Sequence, residues 1–318
     1  MRAALFAALI TFASASAAEA SPRIIVDAMT GEVIFSEEAN MSWHPASLTK
    51  LMTANLAFKA VRDGRISGGT PIVMTKHASS VAPSRLGIPP GTGVRLDDAL
   101  SIMLTRSMND IATAIAENLA ANEEAFVAEM NREASLIGMK ATRFTNASGL
   151  PDKAQVSTAE DLAILAIHIL RTYPERRWMF GVPELSVAGK TLHNTNGLIG
   201  KFNGSDGMKT GYVCGSGFNV VSTATRNGRQ IIAVVLGAPN PRLREQAAAA
   251  MLDYGFHHQG AGRVLLSTAD RPSAANDMTK FACGRTNPSF RTSMPTSPPS
   301  APVIVDTAPT DRPIVRRF

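Results

Sequence analysis

Ser47 and Lys50 stand three residues apart at the head of a stretch, 47–61, in which Leu48, Leu51, Met52, Leu56 and Phe58 follow a helical period. At i and i+3 on a helix the two side chains share one face, so hydroxyl and amine can meet. A serine is a poor nucleophile until a base takes its proton. A lysine becomes such a base when burial or a neighbouring cation lowers its pKa. Leu48, Leu51 and Met52 would supply the burial. The helix start adds free backbone N–H groups and the positive end of the dipole, both suited to a developing oxyanion. The implied chemistry is acyl transfer, with Ser47 as nucleophile and Lys50 as general base. Taken alone, such a string is more often a helix cap and a surface lysine.

Two further strings fall where they would complete such a centre. Ser107-Met108-Asn109 lies in a predicted break between helices at 97–104 and 110–119, where a loop can present both side chains inward. A second hydroxyl near the amine can relay a proton to a leaving group, and the Asn109 carboxamide can hold a substrate amide. Lys209-Thr210-Gly211 lies on a predicted strand, 208–213. There Lys209 adds positive charge, Thr210 offers a hydroxyl to a carboxylate, and Gly211 lets a substrate backbone come close. A strand edge can also pair with an extended peptide, and the Tyr212 N–H would be a second oxyanion donor. Each string has an ordinary structural explanation: a turn and cap for the second, an edge strand for the third. All three, in this order and so widely spaced, do not.

The elements that must position these residues are legible around them. Two β-rich runs, 23–27 and 32–35, flank Met29-Thr30-Gly31 and read as a hairpin. A second β block holds strands at 208–213, 218–225 and 230–236, joined by Gly215-Ser216-Gly217 and by Asn227-Gly228. Between the blocks lie helices at 97–104, 110–119 and 123–137. Another runs to Leu170 from the capping box Ser157-Thr158-Ala159-Glu160. A last helix, 241–254, has Pro241 at its start and Gly255 after it. The expected architecture is α+β: a five-stranded, mostly antiparallel sheet built from both ends of the domain, with helices packed on it and a helical lobe between its halves.

The chain has 318 residues and a net charge of +6, room for one large domain or two small ones. The charge is uneven: residues beyond Gly260 hold a net +4 and residues 1–20 cancel, leaving +2 for 21–260. A nearly neutral fold gives no support to nucleic acid as a partner. Residues 1–20 read as a secretory signal, with Arg2, an apolar run at 3–12 and Ala18-Glu19-Ala20 as the cleavage site. The expected catalytic domain is 21–258. From 259 to 318 the composition turns to Pro, Ser and Thr with scattered basic residues, expected to be a largely disordered tail. Its contact with a membrane would be peripheral at most. No metal-ligand spacing occurs and no cofactor is implied. The two cysteines, Cys214 and Cys283, can bridge in an oxidising compartment or stay two thiols; spacing leaves both open.

Together S-x-x-K, S-x-N and K-T-G mark the serine acyl-transferases that react with penicillin. The chain resembles a low-molecular-mass penicillin-binding protein of the D-alanyl-D-alanine carboxypeptidase family, with the β-lactamase/transpeptidase-like fold. The likeness runs from about Pro22 to Phe256 and takes in Pro45-Ala46-Ser47-Leu48-Thr49-Lys50 and Ser107-Met108-Asn109-Asp110. It continues through residues 144–151, residues 193–198 and Asp206-Gly207-Met208-Lys209-Thr210-Gly211-Tyr212. The resemblance implies that Ser47 is acylated by peptidoglycan stem peptides ending in D-Ala-D-Ala. D-Ala then leaves, water hydrolyses the acyl-enzyme, and β-lactams acylate the same serine. Arg244, two residues from Arg242, resembles the family's arginine near the substrate carboxylate. The implied location is the periplasm or cell-wall compartment of a bacterium. Rival readings are a D,D-endopeptidase of peptide cross-links and a non-catalytic wall-binding scaffold. A class A β-lactamase would need a deacylating glutamate; no E-x-x-L-N follows Asn109, and Glu160 reads as a helix cap. No G-x-S-x-G is present for a Ser-His-Asp hydrolase, and the histidines read as structural.

Overall fold

The computed structural model describes residues 21–260, 262–263, 265, 272–284 and 290–295. The proposed leader and most of the expected tail lie outside them. In chain order come β1 (Arg23–Asp27), β2 (Val33–Glu37), a 3₁₀ turn Ala46–Thr49 and α1 (Lys50–Arg62). The lobe follows: β3 (Pro71–Val73), α2 (Lys76–Ser80), β4 (Gly93–Arg95), α3 (Leu96–Arg106), α4 (Asn109–Leu119), α5 (Glu123–Leu136) and α6 (Ala159–Thr172). After a 3₁₀ segment, Pro174–Phe180, come the hairpin β5 (Glu184–Val187) and β6 (Lys190–His193), then β7 (Ser205–Val213), β8 (Gly217–Arg226) and β9 (Arg229–Ala238). The chain continues with α7 (Pro241–His257) and the single turn α8 (Thr279–Ala282).

The main sheet has the order β2-β1-β9-β8-β7, and all four pairings are antiparallel. The N-terminal hairpin thus joins the C-terminal meander, as the two β blocks imply. Side chains alternate faces along a strand, and both faces here are covered, which is why β1 at 24–26 and β9 at 231–236 are continuously apolar. Ile24, Val26, Ile232, Val234 and Leu236 face the helical lobe with Leu48, Leu51 and Met52. Ile25, Ile231, Ala233 and Val235 face α7 with Ala247, Ala248, Met251 and Leu252.

Two local expectations are corrected. Gly255 lies inside α7 rather than after it. A Cβ there would stand 2.5 Å from Ile231 Cγ2 and 3.0 Å from Ile25 Cγ2, so the glycine serves close helix–sheet packing, not a C-cap. The cap of α6 is Thr158, whose hydroxyl accepts from Asp161 N at 3.0 Å. Glu160 is therefore no cap. It is fully buried and its Oε1 accepts from Arg263, because a carboxylate taken out of water needs a charged partner. Finally, the described parts of the stretch after residue 258 pack on the domain. Val33 N donates to Arg263 O at 2.8 Å, Ser42 Oγ to Ser273 O at 2.6 Å and Met278 N to Gly215 O at 3.0 Å.

Cys214 and Cys283 are joined in a disulfide, with their Cα atoms 5.4 Å apart. The bond resolves the alternative left open by spacing and ties α8 to the turn after β7. It closes a loop of 69 residues, worth about 4 kcal/mol on the chain-entropy model. Replacing both cysteines by serine is expected to lower unfolding free energy by about 2–4 kcal/mol, read from denaturant melts under non-reducing conditions. An unchanged midpoint would show that the tie adds nothing to stability.

Candidate active site

Ser47 sits in the 3₁₀ turn rather than in the helix proper, which begins at Lys50. Residues i and i+3 eclipse in that tighter winding, so the expected pairing of Ser47 with Lys50 holds for a different local reason. Ala46 adopts φ +49°, which turns the chain sharply into the serine. Two glycines let other segments close on this turn. At Gly149, φ +85°, a Cβ would lie 2.0 Å from Ala46 O; at Gly211 it would lie 2.8 Å from Pro45 O and 3.1 Å from Ser47 N. Gly211 thus admits the protein's own backbone, where the sequence suggests room for substrate. Asn219 on β8 fixes the approach: its Nδ2 donates to His44 O at 2.9 Å and its Oδ1 accepts from Gly237 N at 2.9 Å.

The Lys50 ammonium position is fully buried, and Nζ has three neighbours: Ser47 Oγ at 3.0 Å, Asn109 Oδ1 at 2.6 Å and the carbonyl oxygen of Ser148. Burial pushes its pKa well below the ordinary lysine value, and the charge of Lys209 pushes further, opposed by Asp110. The partners then dictate where the lone pair of the neutral amine points. A carbonyl and a carboxamide oxygen can only accept, so they take the two N–H bonds. Ser47 Oγ, which accepts from Nζ at 3.0 Å when the amine is protonated, is the one of the three that can donate to the neutral amine.

Asn109 opens α4 and is used from both ends. Its Oδ1 holds Lys50 and its Nδ2 donates to Pro83 O at 2.7 Å, leaving one N–H for a substrate carbonyl. The residue therefore holds Lys50 against the loop at Pro83. Next to it, Asp110 Oδ2 accepts from Leu86 N at 2.8 Å and Gly87 N at 3.0 Å, shaping the wall of residues 82–87. Ser107 terminates α3 in the left-handed region at φ +65°, which turns it towards the cleft in the break that the sequence places there.

A cleft of about 710 Å³ opens over Ser47, walled by Pro83, Ser107, Thr195, Thr210, Gly211, Tyr212 and Arg244 among others. β7 is the edge strand of the sheet, so its outer edge has no strand partner among the described residues. Thr210 Oγ1 and Thr195 Oγ1 lie 2.7 Å apart, and Arg244 Nη2 donates to Thr195 O at 3.2 Å and to Glu245 Oε1 at 3.1 Å, so two hydroxyls and an ion-paired guanidinium stand at one end. Arg244 is buried at the head of α7 while Arg242 is exposed. Lys209 does not line the cleft. It is buried beneath it with Nζ on Thr210 O at 2.9 Å, and burial, then the charge of Arg244, brings its pKa down to about 7. Tyr212 stacks on Phe218 with centroids 4.1 Å apart and remains 42% exposed.

Sequence reasoning gave no role to Ser148, Asn146 or Thr195. The Ser148 carbonyl is set by Asn146, whose Oδ1 accepts from Ser148 N at 3.2 Å, Gly149 N at 2.7 Å and Leu150 N at 3.1 Å. An asparagine before a Ser-Gly pair is a turn signal, but nothing in it says that the turn delivers a carbonyl to a lysine. Thr195 N donates to Thr105 O at 3.1 Å, linking the α3–α4 break to the K-T-G strand. The histidines have structural partners: His44 Nδ1 on Gln155 O, His77 on Glu117, His168 near Glu133 and His193 on Glu184.

Residues 10–240 match the family model described as D-alanyl-D-alanine carboxypeptidase. The chain is 34% identical over 243 residues to D-alanyl-D-alanine carboxypeptidase DacF of Bacillus subtilis, a match covering 75% of this chain and 62% of that protein. It aligns with penicillin binding protein 5 from Haemophilus influenzae at a TM-score of 0.72 and 31% identity, over 75% of this chain and 71% of that one. Ampicillin-bound Penicillin-Binding Protein D2 from Listeria monocytogenes aligns at 0.68 and 31% identity, over 74% and 97%. The buried lysine between serine, asparagine and carbonyl thus stands in a penicillin-binding-protein fold, and the chain belongs to the D-alanyl-D-alanine carboxypeptidase family.

Proposed function

We propose that this chain is a serine D-Ala-D-Ala carboxypeptidase that trims peptidoglycan stem peptides outside the bacterial cytoplasmic membrane, and that β-lactams acylate its Ser47. The observation that carries the reading is the Lys50 amine with only one neighbour, Ser47, able to give it a proton. The family match and the ampicillin-bound neighbour support it. Export rests on the leader-like residues 1–20, and no described helix is long and apolar enough to cross a membrane.

In this mechanism the stem peptide lies along the free edge of β7 with its terminal carboxylate at Thr210 and Arg244. Lys50 takes the Ser47 proton as Oγ attacks the carbonyl carbon of the penultimate D-Ala. Oxyanion charge falls on N–H groups of the Ser47 turn and Tyr212. The C–N bond then breaks, and the proton passes from Lys50, with Ser107 as relay, to the departing D-Ala amine. Water attacks the ester carbonyl, gives its proton to Lys50, and Ser47 recovers it on leaving.

Ser47→Ala is expected to abolish both D-Ala release from a D-Ala-D-Ala peptide and covalent penicillin labelling, with the melting curve retained. Labelling of that variant would move the nucleophile elsewhere. Lys50→Ala should slow acylation by about 10²–10⁴-fold, followed as the rate of labelling by a fluorescent penicillin.

The pH profile tests the field of Lys209. The active amine is neutral, so acylation falls as pH drops through the Lys50 pKa. Lys209 holds that pKa down, hence Lys209→Gln raises it and moves the acid limb of kcat/KM to higher pH. Below the limb each unit of movement lowers the rate about tenfold. A limb that stays in place would show that Lys209 acts only as a structural residue.

A further inference from the structure

The acyl-transfer steps use the backbone of Tyr212 and leave its side chain without a task. Alternation along β7 puts that side chain on the same side as Thr210, and both line the cleft over Ser47. The ring is held at two places. One face stacks on Phe218, its cross-strand partner, with centroids 4.1 Å apart. The hydroxyl at its tip lies 2.9 Å from Cys283 Sγ and 3.9 Å from Cys214 Sγ. A disulfide sulfur carries no hydrogen, so the phenol donates and the bridge accepts. Cys283 comes from beyond the family-matched residues 10–240 and follows α8. The start of that turn is docked separately: Met278 is buried and donates its N–H to Gly215 O at 3.0 Å.

We infer that Cys283 is a positioning residue: bridged to Cys214, it fixes the Tyr212 ring as a wall of the cleft, and reduction of the bridge loosens that wall and slows acylation of Ser47. The inference rests on the reading of Ser47 as the acylated nucleophile. Tyr212 is exposed and stands on an edge strand. Stacking on Phe218 limits the tilt of its ring but lets it slide in its own plane, and a hydrogen bond at the tip removes that freedom. The neighbouring Gly211 packs against Pro45 and Ser47, so a shift at the end of β7 is felt at the serine turn. Both cysteines are exposed, which gives a dithiol access to the bridge. One thiolate of the dithiol attacks a sulfur and forms a mixed disulfide, and its second thiol displaces the protein. Cys214 and Cys283 are left as two thiols, and the dithiol has become a disulfide. The Cys283 sulfur is then free to leave the phenol while Met278 keeps the start of the turn in place. Full reactivity is in this way reserved for the oxidised protein.

The test measures the rate of labelling by a fluorescent penicillin, using the full chain oxidised, or reduced with dithiothreitol and then desalted. The oxidised protein should label roughly tenfold faster, and reoxidation should restore the rate. Cys283→Ser should match the reduced protein under either condition. Tyr212→Phe separates positioning from stability, because it keeps the ring and the backbone N–H and loses only the hydroxyl. Oxidised Tyr212→Phe should label slowly, and reduction should slow it no further, while its melting midpoint still falls on reduction as in the unaltered protein. Equal labelling of the oxidised and reduced protein would overturn the inference and leave Ser47 acylation intact. Undiminished slowing on reduction of Tyr212→Phe would also overturn it, making the bridge a stabiliser of the fold alone. No labelling in any state would overturn both readings.

Discussion

One amine without water organises this molecule. Lys50 is buried on the first turn of α1, and an ordinary lysine there would need a counter-ion in contact. Instead it has two neutral acceptors and a serine hydroxyl. That environment lowers the affinity of the nitrogen for its proton. Much of the surrounding structure exists to hold three atoms around Nζ: the Asn146 turn sets the Ser148 carbonyl, Pro83 sets the Asn109 carboxamide, and Asn219 with two glycines sets the serine turn. Remove any of these and an acceptor moves, leaving a buried N–H unsatisfied.

The second lysine makes the first one intelligible. Lys209 lies buried under the K-T-G strand with a backbone carbonyl on its amine and Arg244 raising the local positive potential. Placing it out of the cleft spares it contact with solvent and lets its charge act across a poorly polarisable interior, where fields fall off slowly. Two basic side chains and a hydroxyl pair therefore share one low-dielectric region, which disfavours a proton on Lys50.

Much of this was legible in the sequence, for identifiable reasons. The three strings stand on a helix start, a helix break and a strand, and hydrophobic period reports all three directly. The two β blocks announce the sheet because Asn227-Gly228 and Gly215-Ser216-Gly217 are turn chemistry that few other structures require. What escaped depends on contacts distant in the chain. A backbone carbonyl at Ser148 has no residue type to betray it, and burial of Lys209 depends on what packs over it. Gly255 looks like a helix stop until Ile25 and Ile231 are seen against it. Glu160 looks like a cap until Arg263 arrives from a stretch whose composition suggested no structure at all.

The order of the sheet has a consequence for how the protein reaches its working state. β1 pairs with β9 across more than two hundred residues of intervening chain. The central strand of the sheet is thus missing until almost the whole domain has been made, and contacts this distant in sequence make folding slow. A nascent chain of this design stays incomplete while it emerges. Its serine turn lacks the β7 backbone that Gly211 brings against it, and its Lys50 is open to solvent. The surroundings of Lys50 are thus among the last parts of the domain to be assembled, when the final strands close the sheet.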